Sequence, residues 1–392
     1  MKKLVYIIVG EPSGDILASR MMSAMRKLNP EVNFTGMGGE TMIKQGFKSL
    51  FNIADISVMG FWEVVPRLPL ILKRMKQVME DIEKQQPDVI VTVDSWGFVS
   101  SILKKLKKKN STIPTVHYVA PQVWAWKKSR APKAAKLMDR LMTLLPFEPA
   151  YFEKYGLQCD FAGHPVIENA NETNDLDVFK NQHNIPENGC ILCVLPGSRR
   201  SEIKKIFPVF KKSVERLKEN FSDLFLIIPS VEAIAEEVRH LFANIEIPHI
   251  VITGQQERYN TFRISKFAIA ASGTVTLELT ACGTPHLIAY KFSAITNQIT
   301  KRLATTKYAN LINILADKPV IPEFVLDNCR DDLIAEKALE LMQNTEAAQS
   351  QINEAKQYFS LLKPEEMLPS EKAASIVLEI IQKHSIQSPP YF

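Results

Sequence analysis

The chain has 392 residues, 46% hydrophobic and 23% charged, with a formal net charge of +5. That is too long for one ordinary core, so two domains are expected, and the composition is that of a globular chain rather than a disordered or fibrous one. No apolar run reaches the roughly 18 residues a membrane-spanning helix needs, and five cysteines without a disulfide-framework spacing favour a reducing cytoplasm.

The N-terminus is basic and then apolar, but it runs at once into Gly10-Glu11-Pro12 and lacks a small-residue cleavage site. It therefore reads as a buried first strand over 4–9, not as a signal peptide. Strand-like runs recur at 88–93, 115–119 and 141–145, with helical stretches such as 16–28 and 70–85 between them. This alternation predicts a parallel sheet covered by helices on both faces. After Gly163-His164-Pro165 comes a polar interval, 168–175, the best linker candidate. The alternation restarts at 191–195, 224–228, 250–253, 267–271 and 286–289, and from Asp331 the pattern is helical and polar. The expected architecture is α/β: two doubly wound, Rossmann-like domains facing a cleft, with C-terminal helices. Residues 1–168 form the first domain, 169–345 the second, and 346–392 a C-terminal helical segment.

The most informative stretch opens the second domain. Strand residues 191–195 stop at Pro196-Gly197-Ser198, and a basic helix starting with Arg199 and Glu202 follows. Gly197 admits close backbone approach, and the free N–H groups of the helix start suit a phosphate or diphosphate. Ser272-Gly273-Thr274 repeats the device after another apolar strand, with Glu278 one turn into the helix, where a carboxylate suits ribose hydroxyls. Two well-capped helices would account for either loop alone; both in one domain point to a nucleoside diphosphate. Neither loop is a P-loop, and no complete Gly-x-Gly-x-x-Gly is present. Cys190 and Cys193 have a metal-ligand spacing but share one strand, where they face opposite ways. Asp175-Leu176-Asp177, the sole Asp-x-Asp, falls in the linker.

In the first domain Asp94 closes the run 89–93. It sits at the carboxyl end of a strand, where open α/β sheets bind ligands. Its carboxylate suits a general base on a hydroxyl acceptor, or an N-cap for the helix after it. Glu11, Ser13, Gly14 and Asp15 form a polar turn after the first strand, with caps or acceptor ligands among them. His164 is a candidate of lower rank, since a lone histidine is more often structural. Met59, Phe61, Trp62, Arg67, Leu70, Ile71, Lys73 and Arg74 belong to a stretch of large apolar residues interleaved with cations. It reads as a core helix or as a membrane-facing patch. The lysines at 104–109 suit a solvated face or an anionic surface. Trp124 and Trp126 beside Lys127 and Lys128 are one aromatic-cation cluster, too little for a nucleic-acid track.

Together these segments resemble the lipid-A-disaccharide synthases, inverting glycosyltransferases of the two-domain GT-B class. The resemblance rests on Gly10-Glu-Pro-Ser-Gly-Asp15, Val58-Met-Gly60, Val93-Asp94, Val123-Trp-Ala-Trp126, Leu145-Pro-Phe-Glu148, Gly163-His-Pro165, Leu195-Pro-Gly-Ser-Arg199 with Glu202, Ser272-Gly-Thr274 with Glu278, and Asn313. It implies transfer of 2,3-diacylglucosamine from its UDP donor to the 6-hydroxyl of 2,3-diacylglucosamine 1-phosphate, giving a β-1,6-linked disaccharide and UDP. Asp94 then matches the family's acidic base, and Gly197, Ser198, Arg199, Glu202, Ser272, Gly273, Thr274, Glu278 and Asn313 match its donor-binding positions. The resemblance further implies no metal or other cofactor, peripheral binding to the inner membrane from the cytoplasm, and a homodimer. The family usually continues from the aspartate as Ala-Pro-Asp-Phe-Asn; here Ser95-Trp96-Gly97-Phe98-Val99 follows, and Leu326 stands where a glutamine is usual. A UDP-sugar 2-epimerase of the same build is the alternative enzyme, and a non-catalytic lipid or nucleotide binder the alternative class.

Overall fold

The computed structural model describes residues 3–57, 61–124, 128–169, 175–271, 273–291 and 306–387, with the side chains of 61–64 and 385–387 outside the description. Met59 and Ser272 lie outside the described residues, as do the side chains of Phe61 and Trp62. The chain forms two units: Met1–Pro165 with Leu362–Phe392, and Val166–Leu361.

The first unit holds β1 (Lys3–Val9), β2 (Val32–Met37), β3 (Val89–Val93), β4 (Thr115–Tyr118), β5 (Arg140–Thr143) and β6 (Gln158–Phe161). All pair in parallel, in the order β2-β1-β3-β4-β5-β6. The five residues of β3 are all buried, as continuous aliphatic runs in parallel sheets are. Helices α1 (Pro12–Leu28), α2 (Glu40–Lys44), α3 (Phe61–Gln85), α4 (Trp96–Lys108), α5 (Arg130–Leu137) and α6 (Pro149–Glu153) connect them. Side-chain alternation splits the core. Val5, Ile7, Val89 and Val91 pack with the apolar residues of α1, while Tyr6, Ile8 and Ile90 pack with Met75, Val78, Val99 and Ile102 of α3 and α4. Both α1 and α3 begin earlier than the hydrophobic period suggests. Pro12 sits in the first turn of α1, where its missing N–H costs nothing, and α3 runs through Pro66 and Pro69 near its start.

The second unit contains α7 (Val166–Asn169), α8 (Leu176–Gln182), β7 (Cys190–Leu195), α9 (Arg200–Lys218), β8 (Leu224–Ser230), α10 (Ala235–Phe242), β9 (His249–Thr253), α11 (Gln255–Ile264), β10 (Phe267–Ala271), α12 (Val275–Cys282), β11 (His286–Tyr290), α13 (Leu311–Ala316), β12 (Glu323–Val325), α14 (Asp331–Gln343) and α15 (Thr345–Ser360). Its sheet is also parallel, ordered β12-β11-β10-β7-β8-β9. Cys190 and Cys193 point into different cores, as their strand spacing requires. Asp175, in the Asp-x-Asp of the linker, caps α8 by accepting from Asp177 N and Val178 N at 3.0 and 3.1 Å.

The return to the first unit comes at Leu362, later than the expected change at 346. Helix α15 stays with the second unit because the Gln351 amide accepts from His286 N and donates to His286 O, both at 3.0 Å, and Ile352 and Ala355 are buried. A final helix, α16 (Pro369–Gln387), then lays Ala373, Ala374 and Val377 into the same core cluster as the residues of α1. The turn Gly163-His164 receives this return: His164 N donates to Leu362 O at 2.9 Å. Gly163 has φ +88°, and a Cβ there would lie 2.3 Å from Pro364 Cδ. His164 is buried at this seam, its pKa lowered to about 4 by desolvation, so the structure gives it a packing position.

Candidate active site

In a doubly wound sheet ligands bind outside the carboxyl ends of the strands, where the strand order reverses. In the first unit that point lies between β1 and β3, and the two loops leaving those strands carry the predicted residues. Asp94 ends β3 with φ +54° and Ser95 follows at +46°, two consecutive non-glycine residues in the left-handed region. Such strain persists only where neighbours over-determine it. Here Asp94 N donates to Tyr118 O at 2.9 Å, and Ser95 N to Asp94 Oδ1 at 2.8 Å. Across the loop, Ser95 Oγ donates to Glu11 Oε1 at 3.1 Å and Ser13 Oγ to Asp94 Oδ2 at 3.2 Å.

Two glycines let the loops approach. A Cβ on Gly10 would lie 2.5 Å from Ser95 Cβ, and one on Gly14 would crowd Val9 and the Val93 carbonyl. Asp15 belongs to the same turn but faces away: it accepts from Gly39, Thr41 and Met42 N at 2.8, 2.7 and 3.3 Å, capping α2. The expectation of a site ligand there gives way to a buried cap.

Asp94 opens into a cavity of about 740 Å³ within this unit. Its lining includes Asp94, Ser95, Trp96, His117, Glu11 and Arg130, together with Leu68, Ile71, Leu72 and Met75 of α3. The apolar lining continues outward, with Val65, Leu68 and Leu72 exposed at 52%, 48% and 51% on one helical face. Leu70 is half-buried and Lys73 exposed. Arg67 donates to Ala54 O at 3.2 Å. Arg74, a candidate cation of the membrane-facing patch, is held internally instead by Asp55 at 2.8 Å, Gln77 at 2.7 Å and the face of Phe51.

The second unit reverses its strand order between β7 and β10, and the loops leaving these strands are the two phosphate-type turns. Gly197 has φ +110°, with Ala271 Cβ 3.8 Å from where its Cβ would stand, so the loops adjoin. Ser198 precedes Arg199, the N-cap of α9, whose free N–H groups carry the positive end of the helix dipole. Arg199 Nη1 is oriented by Glu202 Oε1 at 2.7 Å, and the same oxygen accepts from Tyr290 OH at 3.1 Å. Glu202 thus positions the guanidinium, and burial beside this carboxylate pushes the Tyr290 phenol up to about 12. Gly273 has φ +151° with open space where a Cβ would be, and Thr274 stands at the N-cap position of α12. Glu278 follows on α12, its side chain 12% exposed, and accepts from Arg258 Nη2 at 2.8 Å. Burial raises its carboxyl pKa while Arg258 opposes the rise.

Asn313 departs from its expected place. Its Nδ2 donates to Ile321 O and Glu323 Oε1, both at 2.7 Å, and its Oδ1 accepts from Ile321 N at 2.8 Å. With both amide hydrogens used it braces the chain before β12, where Glu323 also accepts from Ala309 and Asn310 N. Among the described residues no group of three or more His, Cys, Asp and Glu side chains could hold a metal ion, and no helix is long and apolar enough to cross a membrane.

A family model described as lipid-A-disaccharide synthetase matches residues 5–377. The chain belongs to the lipid-A-disaccharide synthase family. Among its relatives, the lipid-A-disaccharide synthase of Paramagnetospirillum magneticum is 42% identical over 97% of this chain and 98% of its own. The same-named protein of Rhodospirillum centenum is 39% identical over 98% and 96%. The chain is therefore a glycosyltransferase. Solved structures with the same two-domain GT-B fold include a UDP-GlcNAc 2-epimerase from Neisseria meningitidis, at TM-score 0.67, 11% identity and 97% and 100% coverage. A glycosyltransferase from Rickettsia africae aligns at TM-score 0.58, 14% identity and 98% and 99% coverage. At those identities the likeness concerns the fold alone, so the epimerase alternative has structural company but no sequence kinship.

Three groups at these sites escaped the sequence reading. Arg258 and Tyr290 come from elements with no motif around them, and each acts through a carboxylate far away in sequence. His117 is flanked by Val116 and Tyr118 inside a short strand, where spacing cannot separate a site histidine from a core one.

Proposed function

We propose that this glycosyltransferase moves 2,3-diacylglucosamine from UDP-2,3-diacylglucosamine to the 6-hydroxyl of 2,3-diacylglucosamine 1-phosphate, with inversion. The observation that carries the reading is the Asp94 cavity, which a fixed carboxylate and apolar residues of α3 line together. A sugar hydroxyl needs the first and its acyl chains need the second. Asp94 accepts the hydroxyl proton as the oxygen attacks the anomeric carbon in line, and Ser13 and Ser95 N hold the carboxylate for that transfer. The departing UDP is stabilised by the backbone N–H groups at Gly197–Ser198 and Gly273–Thr274 and by Arg199, with Glu278 taking the ribose and no metal taking part.

The exposed Val65–Leu68–Leu72 face, with Lys73 beside it, is the part that meets the inner-membrane surface on its cytoplasmic side. Two copies form a homodimer. Nucleic acid is not a partner.

Incubating the purified chain with UDP-2,3-diacylglucosamine, with and without the acceptor lipid, tests the reading. UDP release that requires the acceptor and yields a β-linked disaccharide supports it. Turnover of the donor alone to its C2 epimer contradicts it.

A further inference from the structure

His117 lies on β4 directly opposite Thr92, its register partner on β3, and is 1% exposed. On that face of the sheet the neighbouring strand residues Ile90 and Leu141 are aliphatic, so packing alone asks for another apolar side chain. The imidazole is fixed on one side. Thr92 Oγ1 stands 3.2 Å from Val116 O and 2.8 Å from His117 Nδ1; with its single hydrogen on Val116 O, it accepts from Nδ1. In that arrangement the proton sits on Nδ1 and Nε2 keeps a lone pair. Burial lowers the pKa to about 4, so the ring is neutral near pH 7. Nε2 is buried and has no hydrogen-bond partner. A buried polar atom left unmatched is costly, and native structures rarely keep one without a use. His117 lines the Asp94 cavity, with the Trp96 ring 5.8 Å away and tilted 57° against it.

We propose that His117 Nε2 accepts a hydrogen bond from a second hydroxyl of the acceptor sugar, fixing the ring so that the reacting hydroxyl faces Asp94. This rests on reading the cavity as the acceptor site. His117 takes no proton in the reaction; Thr92 sets its tautomer, and the lone pair selects a hydroxyl donor over an ether or an alkyl group.

The test compares His117→Phe, which keeps a ring without an acceptor, with His117→Gln, which places an amide oxygen close to Nε2. For His117→Phe, kcat/KM for 2,3-diacylglucosamine 1-phosphate falls roughly tenfold, the value of one lost hydrogen bond in a closed site. UDP affinity and the tryptophan-reported unfolding midpoint stay unchanged, and His117→Gln recovers most of the loss. In 15N NMR of the wild-type imidazoles, the unprotonated Nε2 resonance moves upfield when the acceptor lipid is added. Acceptor kinetics within twofold of wild type, or an Nε2 resonance indifferent to the acceptor, overturns the inference. A loss shared equally by UDP affinity and stability, unrepaired by glutamine, overturns it too by assigning His117 to packing. If acceptor-dependent turnover vanishes in Asp94→Asn yet is normal in His117→Phe, only this inference fails. If the wild type shows no acceptor dependence, the cavity reading itself fails.

Discussion

Gly10 is where the fold and the candidate base meet most closely. An alanine Cβ there would lie 2.4 Å from Ser95 Oγ and 2.5 Å from Ser95 Cβ; the next neighbour, Ile56 Cδ1, is at an ordinary 3.5 Å. The hydroxyl can rotate away but Cβ cannot, so Gly10→Ala must displace the left-handed Asp94–Ser95 backbone. Overpacking of this kind costs about 1–3 kcal/mol. At about 2 kcal/mol, a unit of roughly 200 residues loses on the order of 4–8 °C in Tm. Removing the Ser95 side chain clears the space, so in a Ser95→Gly background Gly10→Ala should cost close to nothing, and the double-mutant cycle should return a coupling of about 2 kcal/mol. All four tryptophans, at 62, 96, 124 and 126, fall in the first unit, so urea unfolding followed by tryptophan fluorescence reads that unit selectively. Turnover should fall with Gly10→Ala, because Asp94 moves with Ser95. An equal cost in both backgrounds refutes the steric argument. Unchanged turnover refutes the link between this contact and Asp94.

Two further outcomes follow from the same geometry. Arg199→Ala and Glu278→Ala should each weaken UDP binding, by about tenfold or more for the loss of a charge-assisted contact, as read by calorimetric titration; unchanged titrations would remove these roles. Replacing Val65, Leu68 and Leu72 with glutamate should abolish sedimentation with anionic phospholipid vesicles while leaving unfolding unaffected, since all three are exposed. Undiminished binding rejects the patch.

The doubly wound architecture was legible because buried parallel strands read as uninterrupted aliphatic runs, and β3 and β7 are such runs. The candidate sites were legible as positions, where a loop at a strand end carries polar residues: Asp94, and the turns at Gly197 and Gly273. Residues whose job depends on a distant partner were not. Asp15 shares its turn with Ser13, yet the structure turns it toward α2, and Asn313 faces Ile321 and Glu323 rather than a ligand. Arg74 reads as a surface cation beside Lys73 until Asp55 and Phe51 are seen against it. The seam at Leu362 was invisible for the same reason, since nothing in a polar helical tail announces that Gln351 will bind the His286 backbone.

In the proposed mechanism Asp94 is the base that receives the acceptor proton. The most direct measurement is single-turnover transfer from UDP-2,3-diacylglucosamine to 2,3-diacylglucosamine 1-phosphate by Asp94→Asn, a variant of nearly equal shape. With UDP affinity and unfolding unchanged, the rate should fall about 10²–10⁴-fold, the usual contribution of a general base. Transfer within a few-fold of wild type would contradict it.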